Sequence, residues 1–340
     1  MSLPYPHNQN LIRTTVPSMR YREGENFQEW KAKGRSKLAE LLGHPYESCE
    51  PDFRILSEKD CGDYREISFQ FQSEPGYYVP CYFCIPVATS RKSPVVICLQ
   101  GHSTGMHISL GRVKYPMDAE SLGGDRDFAI QAVKQGFCAI TVEQRCFGEC
   151  GGTQTGPDCN NSSLIAMLIG RTTIGERVWD IQRLIDLLET GVFPQIDVSQ
   201  ICCMGNSAGG TATFYAACMD SRIRFAMPSC SVCTYEDSIA KVSHCTCNYI
   251  PGILHYFDMG DLAGLIAPRP LVIVAGKEDS IFPEDGVRKA YEEIERLYKA
   301  CGAPENCKLV MGPGGHRFYA DLSWPVMKAY MKQAGCECLM

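Results

Sequence analysis

The 340-residue sequence lacks three features that would have suggested nucleic-acid binding, membrane insertion or secretion. Basic residues are not in excess, because 33 Lys and Arg are outnumbered by 39 Asp and Glu. With a net charge of −6 we expect no binding to nucleic acid or to an anionic membrane. No apolar run approaches the length of a bilayer span, so no membrane insertion is expected. Residues 1–7 show neither the charged start nor the apolar stretch of a secretory signal, which predicts a cytoplasmic protein.

Cysteine is the residue type that the sequence has in unusual abundance, with 20 in all. In a short secreted chain this number would indicate a disulfide scaffold. Here the chain is long enough for a large core, and 45% of its residues are hydrophobic. Several cysteines, such as Cys98, Cys138 and Cys202, lie inside apolar runs. We therefore predict that most are reduced thiols that pack as small hydrophobic side chains.

From residue 94 onwards, short apolar runs alternate with amphipathic helical patterns. The predicted strands are Pro94–Leu99, Phe137–Val142, Gln200–Met204, Ile223–Met227, Pro270–Val274 and Lys308–Met311. The predicted helices lie near 119–135, 173–190, 208–219 and 284–300. Buried strands that alternate with helices indicate a mainly parallel sheet with helices on both faces.

The N-terminal part of the chain follows a different pattern. Two β-rich runs within residues 64–85 are separated by SEPG and predict a hairpin, in which Pro80 indicates an edge strand. Helix starts are predicted at Asn26 and at Thr173, each with a glutamate three residues later. We expect residues 1–60 to form an arm and helix that pack on a catalytic domain of residues 61–340. Residues 231–262 are expected to be an insertion near the active site.

A candidate nucleophile follows the predicted strand at 200–204. The sequence GNSAGG at residues 205–210 matches the G-x-S-x-G turn, in which a serine sits between a strand and a helix. Gly205 and Gly209 remove side chains that would collide in so tight a turn. Ser207 is therefore the predicted nucleophile, and an incidental serine in a glycine-rich turn is the alternative.

A serine nucleophile needs a base and a carboxylate that orients the base. In proteins with this turn the acid follows the serine and the histidine comes last. His316 lies in GPGGH, directly after the last predicted strand, and is the predicted base. Two acids, Glu278 and Asp279, follow the strand at 270–274, and we favour Asp279 from the shape of its loop.

Two converging N–H groups should stabilise the oxyanion that forms during ester cleavage. The amide of Ala208, directly after the serine, is the first predicted donor. The second should come from the loop after the strand at 94–99, where Gly101 allows a close approach and the amide of His102 is our choice.

The chain resembles the α/β-hydrolase superfamily, and within it the acetyl xylan esterase and dienelactone-hydrolase-like branch. The resemblance spans about residues 60–335 and rests on LQGH, EQRCFGE, RVWDIQRLIDLL, GNSAGG, APRPLVIVAGKEDSIFP and GPGGH. It implies an α/β-hydrolase fold with a sheet of roughly eight strands and a Ser207–His316–Asp279 triad. It also implies that Glu143 and Arg145 brace a loop, and that Cys146 stands where the family has glycine. Gln100 replaces the usual histidine before the oxyanion glycine.

These features together predict a serine carboxylesterase that needs no cofactor and acts on a small-molecule ester, with an acetyl ester of a carbohydrate as the substrate that the resemblance implies. Dienelactone hydrolases use a cysteine nucleophile, so their substrate does not transfer to this serine. A peptidase of the prolyl-oligopeptidase type is an alternative, although the chain is too short to include a propeller. A catalytically silent binding protein is the other alternative. The sequence leaves open whether the chain forms a homo-oligomer.

A group of cysteines and histidines raises the question of a metal. Cys230 and Cys233 precede the segment SHCTCNY at residues 243–249, but the spacing is irregular for a structural zinc site. We predict no metal site there, and a metal-handling protein stays as the alternative. Residues 244–251 could instead line the substrate pocket.

Overall fold

One mixed sheet organises the part of the chain that this computed structural model describes, residues 3–87 and 92–336. The last residues of the predicted catalytic domain, 337–340, lie outside the described part. The strands are β1 (Arg54–Asp60), β2 (Tyr64–Glu74), β3 (Tyr77–Pro86), β4 (Ser93–Leu99), β5 (Cys138–Val142), β6 (Ile196–Asn206), β7 (Ile223–Ser229), β8 (Leu271–Gly276) and β9 (Cys307–Gly312). Within the described residues they form a nine-stranded sheet in the order β1-β2-β3-β5-β4-β6-β7-β8-β9.

The first three strands are antiparallel, and β2 and β3 form the predicted hairpin. The prediction that Pro80 marks an edge strand is wrong, because β3 pairs with β2 on one side and with β5 on the other. Pro80 is tolerated because it lies just outside the β3–β5 ladder, which begins at Cys81. The edge is β1, which the sequence did not indicate because each of its residues is exposed.

The remaining strands run parallel to one another, and this confirms the predicted mainly parallel sheet. Alternate residues of β4 enter two different cores, since Val95 and Ile97 belong to one and Val96 and Cys98 to the other. Strands buried on both faces bring their carboxyl ends to one edge of the sheet, where loops can carry a site.

Helices cover both faces of the sheet, as predicted. They are α1 (Pro4–Thr14), α2 (Phe27–Leu42), α3 (Asp118–Gly123), α4 (Phe128–Lys134), α5 (Asn160–Leu168), α6 (Thr173–Glu189), α7 (Ala208–Met219), α8 (Met259–Leu262), α9 (Glu284–Ala300) and α10 (Ala320–Gln333). Residues of α2, α6, α7 and α9 enter one core, and residues of α4 and α10 enter the other.

Two helix predictions need correction. The cap of α6 is Thr172 and not Thr173, because the hydroxyl of Thr172 accepts the Gly175 amide at 3.0 Å. The predicted helix at 119–135 is two helices, α3 and α4, because the chain turns through Gly124 and Asp125, and Asp125 has a positive φ of 59°. At Asn26 the prediction is confirmed, since its side chain accepts the amides of Gln28 and Glu29.

Residues 231–262 lie between β7 and β8 and contain short turns and α8. Helix α1 contacts this segment: the Tyr5 hydroxyl donates to the Lys241 carbonyl at 3.2 Å, and Arg13 pairs with Glu236. Among the residues that the structure describes, no helix is both long and apolar enough to cross a bilayer.

Candidate active site

Ser207 occupies a strained turn between β6 and α7. Its backbone has φ 58° and ψ −125°, a conformation that side-chain-bearing residues rarely adopt. The strain is held by neighbours, because the Ser207 amide donates to the Ser229 carbonyl at 2.8 Å and the Ser207 carbonyl accepts the Thr211 amide. This geometry places the hydroxyl at the carboxyl edge of the sheet, above the start of α7.

The glycines of the turn are required by space. A Cβ on Gly205 would press against the Leu99 carbonyl and the Gly209 backbone. A Cβ on Gly209 would overlap the Leu99 carbonyl of the adjacent strand. The sequence indicated a collision within the turn, and the structure shows that strand β4 is the larger obstacle.

Asp279 and His316 meet above the neighbouring strands β8 and β9. His316 Nδ1 lies 2.8 Å from Asp279 Oδ2, and the other oxygen of Asp279 accepts the amides of Ile281 and Phe282. Burial acts to raise the pKa of Asp279, but the hydrogen bond and charge of His316 and the two amides lower it overall. The carboxylate is thus held ionised beside the imidazole, and Glu278 points into solvent.

A second histidine–carboxylate pair lies nearby but is enclosed. His107 Nε2 lies 2.9 Å from Asp118 Oδ2, and both side chains are buried. Burial lowers the pKa of His107 more than the hydrogen bond to Asp118 raises it. The amides of Lys114 and Tyr115 also donate to Asp118, so this pair ties a loop together.

The loop after β4 approaches the serine closely. A Cβ on Gly101 would lie 2.7 Å from the Asn206 carbonyl and 2.9 Å from Ser207 Cβ, so only glycine fits there. Gln100, which replaces the family's histidine, donates to the Ser109 hydroxyl and to the Arg126 carbonyl at 2.7 Å each. This bonding anchors the segment from which His102 projects.

A polar cavity of about 410 Å³ opens beside His316 and His102. Charged side chains of Glu120, Arg126 and Arg317 line it. Arg126 Nη2 donates to the His316 carbonyl at 3.0 Å, while its buried Nε has no hydrogen-bond partner among the described residues. Arg126 was not predicted from the sequence, because it belongs to no motif and reaches this cavity only through the fold.

A larger cavity of about 1040 Å³ lies between α1 and the 231–262 segment. Ile12, Tyr235 and Leu254 are among its lining residues, and it contains none of the predicted catalytic side chains. Size alone therefore does not identify the reactive site. We considered residues 244–251 as part of the substrate pocket. Of these, residues 248–250 line this larger cavity, and none lines the polar cavity.

The two residues expected to brace the loop after β5 are both buried and bonded. Arg145 pairs with Glu74 at 2.6 Å and with Asp180 at 2.7 Å. Glu143 accepts the amides of Met106 and Glu149, and burial raises its pKa to about 7. Cys146, at the position of the family's glycine, has a positive φ of 72°, so the backbone keeps the glycine-like conformation.

The cysteine and histidine group expected from the sequence is divided by the fold. Cys230 lies near Asp279 and His316, whereas Cys233 contacts the Pro283 carbonyl and His244 contacts the Ser238 hydroxyl. Only Cys245 and Cys247 of that group stay together. In the folded chain His102 and Cys159 lie beside this pair, although both are distant from it in the sequence.

The sequence of this chain is similar to those of known hydrolases. The abhydrolase family model matches residues 8–311. A Bacillus subtilis (strain 168) protein named "Putative hydrolase YtaP" is 25% identical over 240 residues, which is 70% of this chain and 77% of that protein.

Solved structures show the same likeness. A "putative acetyl xylan esterase" from Bacteroides fragilis NCTC 9343 matches with a TM-score of 0.75 and 17% identity, over 92% of this chain and 82% of the other. A glucuronoyl esterase from Solibacter usitatus matches with a TM-score of 0.68 and 14% identity, over 95% and 97%. These likenesses confirm the α/β-hydrolase fold.

Proposed function

This chain belongs to the abhydrolase family, and from that membership and the site geometry we propose that it is a serine carboxylesterase. The observation that carries the proposal is the hydrogen bond between Asp279 and His316 at the same sheet edge as the strained Ser207. The three residues follow β6, β8 and β9 in the chain order serine, acid, histidine. A buried carboxylate on Nδ1 leaves Nε2 of the imidazole to act as the base.

In the proposed reaction the Ser207 hydroxyl attacks the ester carbonyl, and His316 Nε2 takes its proton. The amides of Ala208 and His102 donate to the oxyanion of the tetrahedral intermediate. His316 then returns the proton to the departing alcohol, which leaves an acyl group on Ser207. A water molecule, deprotonated by His316, attacks this acyl group, and His316 then returns the proton to the departing Ser207 oxygen as the acid is released.

The lining of the polar cavity supports a polar alcohol moiety. Glu120, Arg126 and Arg317 can hydrogen-bond sugar hydroxyls, and the unpartnered Nε of Arg126 offers one donor. Two of the similar structures are named as esterases whose names refer to xylan and to glucuronoyl groups. We therefore propose an ester of a carbohydrate as the substrate class, with an acetyl ester first among them.

The test is hydrolysis of p-nitrophenyl acetate and of acetylated sugars by wild type and Ser207→Ala. We expect the variant to lose at least about 10³-fold in kcat while it stays folded. A fluorophosphonate probe should label Ser207 alone, as read by peptide mass spectrometry.

The matched control is Ser199→Ala, at an exposed serine whose hydroxyl contacts Asp197. It should hydrolyse both substrates at the wild-type rate. Wild-type rates in Ser207→Ala would refute the proposed nucleophile, and cleavage of dipeptide substrates in place of esters would favour the peptidase alternative.

A further inference from the structure

Four potential metal ligands converge at the loop after β4, here called the oxyanion loop because the His102 amide is the proposed second oxyanion donor. The side chains of His102, Cys159, Cys245 and Cys247 each offer one ligand atom, and these atoms all lie within 4.8 Å of one another. Cys159 and Cys247 are 3% and 1% exposed, and the other two are half-buried. His102 Nε2 lies 3.2 Å from Cys247 Sγ.

Three sulfurs and one imidazole nitrogen form the ligand set of a structural zinc site. In a tetrahedral site, Zn–S distances of about 2.3 Å and Zn–N distances of about 2.0 Å separate neighbouring ligand atoms by roughly 3.5–3.8 Å. The four ligand atoms exceed this spacing by about 1 Å at most, so side-chain shifts of that size would place all four around one ion. The C-x-C pair at 245–247 supplies two ligands from one turn.

A buried arginine provides a second, independent observation. Arg177 on α6 is 2% exposed, and its guanidinium lies 3.6 Å from Cys247 Sγ and 3.6 Å from Cys159 Sγ. Its other contacts are the Arg145 carbonyl and the face of Phe147. Among the described residues Arg177 has no carboxylate within ion-pair distance, so its charge lacks the partner that a buried cation requires.

We propose that His102, Cys159, Cys245 and Cys247 bind one zinc ion, and that Arg177 balances the charge of the site. Three thiolates and one Zn²⁺ carry a net charge of −1. The positive charge of the Arg177 guanidinium, which contacts two of the sulfurs, balances it. Binding releases to solvent the proton of each thiol that was protonated. No metal was expected from the sequence, because two of the four ligands lie far from the C-x-C pair along the chain.

The ion would join three segments around the reactive serine. His102 belongs to the oxyanion loop, Cys159 precedes α5, and Cys245 and Cys247 lie in the 231–262 segment. Ala208, the residue after the nucleophile, packs in the same apolar cluster as Cys159 and Cys247. The metal would thus fix the position of the oxyanion loop without contacting the substrate, and His102 would act as a positioning residue through its side chain.

The experiment measures metal content directly. The full chain, purified without a polyhistidine tag or chelator, should contain about one zinc per chain by elemental mass spectrometry. After the zinc is removed under reducing conditions, added Co²⁺ should give the visible absorption bands of a tetrahedral thiolate site. Cys159→Ser and Cys247→Ser should each lose most of the bound zinc and shift the Co²⁺ spectrum.

Cys146→Ser is the matched control, since Cys146 packs beside Cys159 but lies outside the four-ligand cluster. It should keep its zinc, and so should Ser207→Ala, which separates this proposal from that of the esterase. If the ligand variants do not fold, the zinc content and Co²⁺ spectrum of the wild type still decide the question.

Two results with the wild-type chain would overturn the proposal. One is a wild-type chain with all thiols reduced that holds little zinc and gives no Co²⁺ thiolate bands. The other is a disulfide between two of the three cysteines in freshly purified protein, seen as a loss of two hydrogens in the intact mass. Equal loss of zinc in Cys146→Ser and Cys159→Ser would also refute this ligand set.

Discussion

The imidazole of His316 is oriented by Asp279 through a 2.8 Å hydrogen bond that links the loops after β8 and β9. In Asp279→Asn the side-chain amide can donate to Nδ1, which favours the tautomer with the proton on Nε2. The base would then face the serine with a proton already in place. We expect kcat for p-nitrophenyl acetate to fall by about 10³–10⁴-fold, with an unchanged circular dichroism spectrum.

Glu278→Gln is the comparison for that variant, because Glu278 is the exposed acid beside Asp279. It should retain the wild-type kcat. A large loss of kcat in Glu278→Gln, with an unchanged kcat in Asp279→Asn, would reverse the assignment of the acid.

Gly209→Ala tests the packing of the serine turn against β4. The added methyl group would overlap the Leu99 carbonyl, and neither backbone can withdraw without disrupting the sheet. We expect a loss of at least about 3 kcal/mol in the free energy of unfolding, measured with urea. Gly123→Ala is the control, since beyond its chain neighbours and its own helix backbone nothing lies within 4 Å of the added methyl group. Equal stability of the two variants would contradict the close contact.

Arg145→Met tests the buried ion network behind the site. Arg145 contacts Glu74, Glu176 and Asp180, and Arg171 pairs with the first two, so the removal of Arg145 leaves the buried Asp180 without a cation. We expect the unfolding free energy to fall by about 3–5 kcal/mol. The exposed pair of Arg288 and Glu284 offers the control, and Arg288→Met should cost less than about 0.5 kcal/mol. Similar losses in both variants would argue against a special role for the buried network.

Glu143 should make the stability of the protein depend on pH. Burial raises its pKa from the ordinary 4.5 to about 7, so between these values the folded chain binds more protons than the unfolded chain. The contribution of Glu143 to stability is therefore greatest below about pH 4.5 and is lost as the pH rises through about 7.

Glu143→Gln removes this titration but keeps an oxygen that can accept the Met106 amide. Urea unfolding of both proteins at several pH values across that window is the measurement. Wild type should lose stability relative to the variant as the pH rises. Parallel curves for the two proteins would show that Glu143 does not titrate there.

Much of the fold followed from local patterns. The runs that became β4, β5 and β8 are largely apolar and buried along their whole length, and strands buried on both faces have that pattern because each side chain meets a core. Strand β1 was missed for the opposite reason, since its side chains are all exposed and only backbone pairing with β2 defines it. The prediction of an edge strand at Pro80 was wrong, because the sequence does not show that the pairing of β3 with β5 begins only at Cys81.

The sequence by itself determined the serine turn and the acid and histidine that follow later strands, because parallel strands bring their carboxyl ends to one edge. Only the tertiary structure shows that Asp279, and not Glu278, lies within hydrogen-bond distance of His316. Only the tertiary structure, likewise, brought Arg126 to the polar cavity and His102 and Cys159 to the C-x-C pair. These groups are far apart in the chain, and their meeting depends on how the helices and loops pack, which no local pattern records.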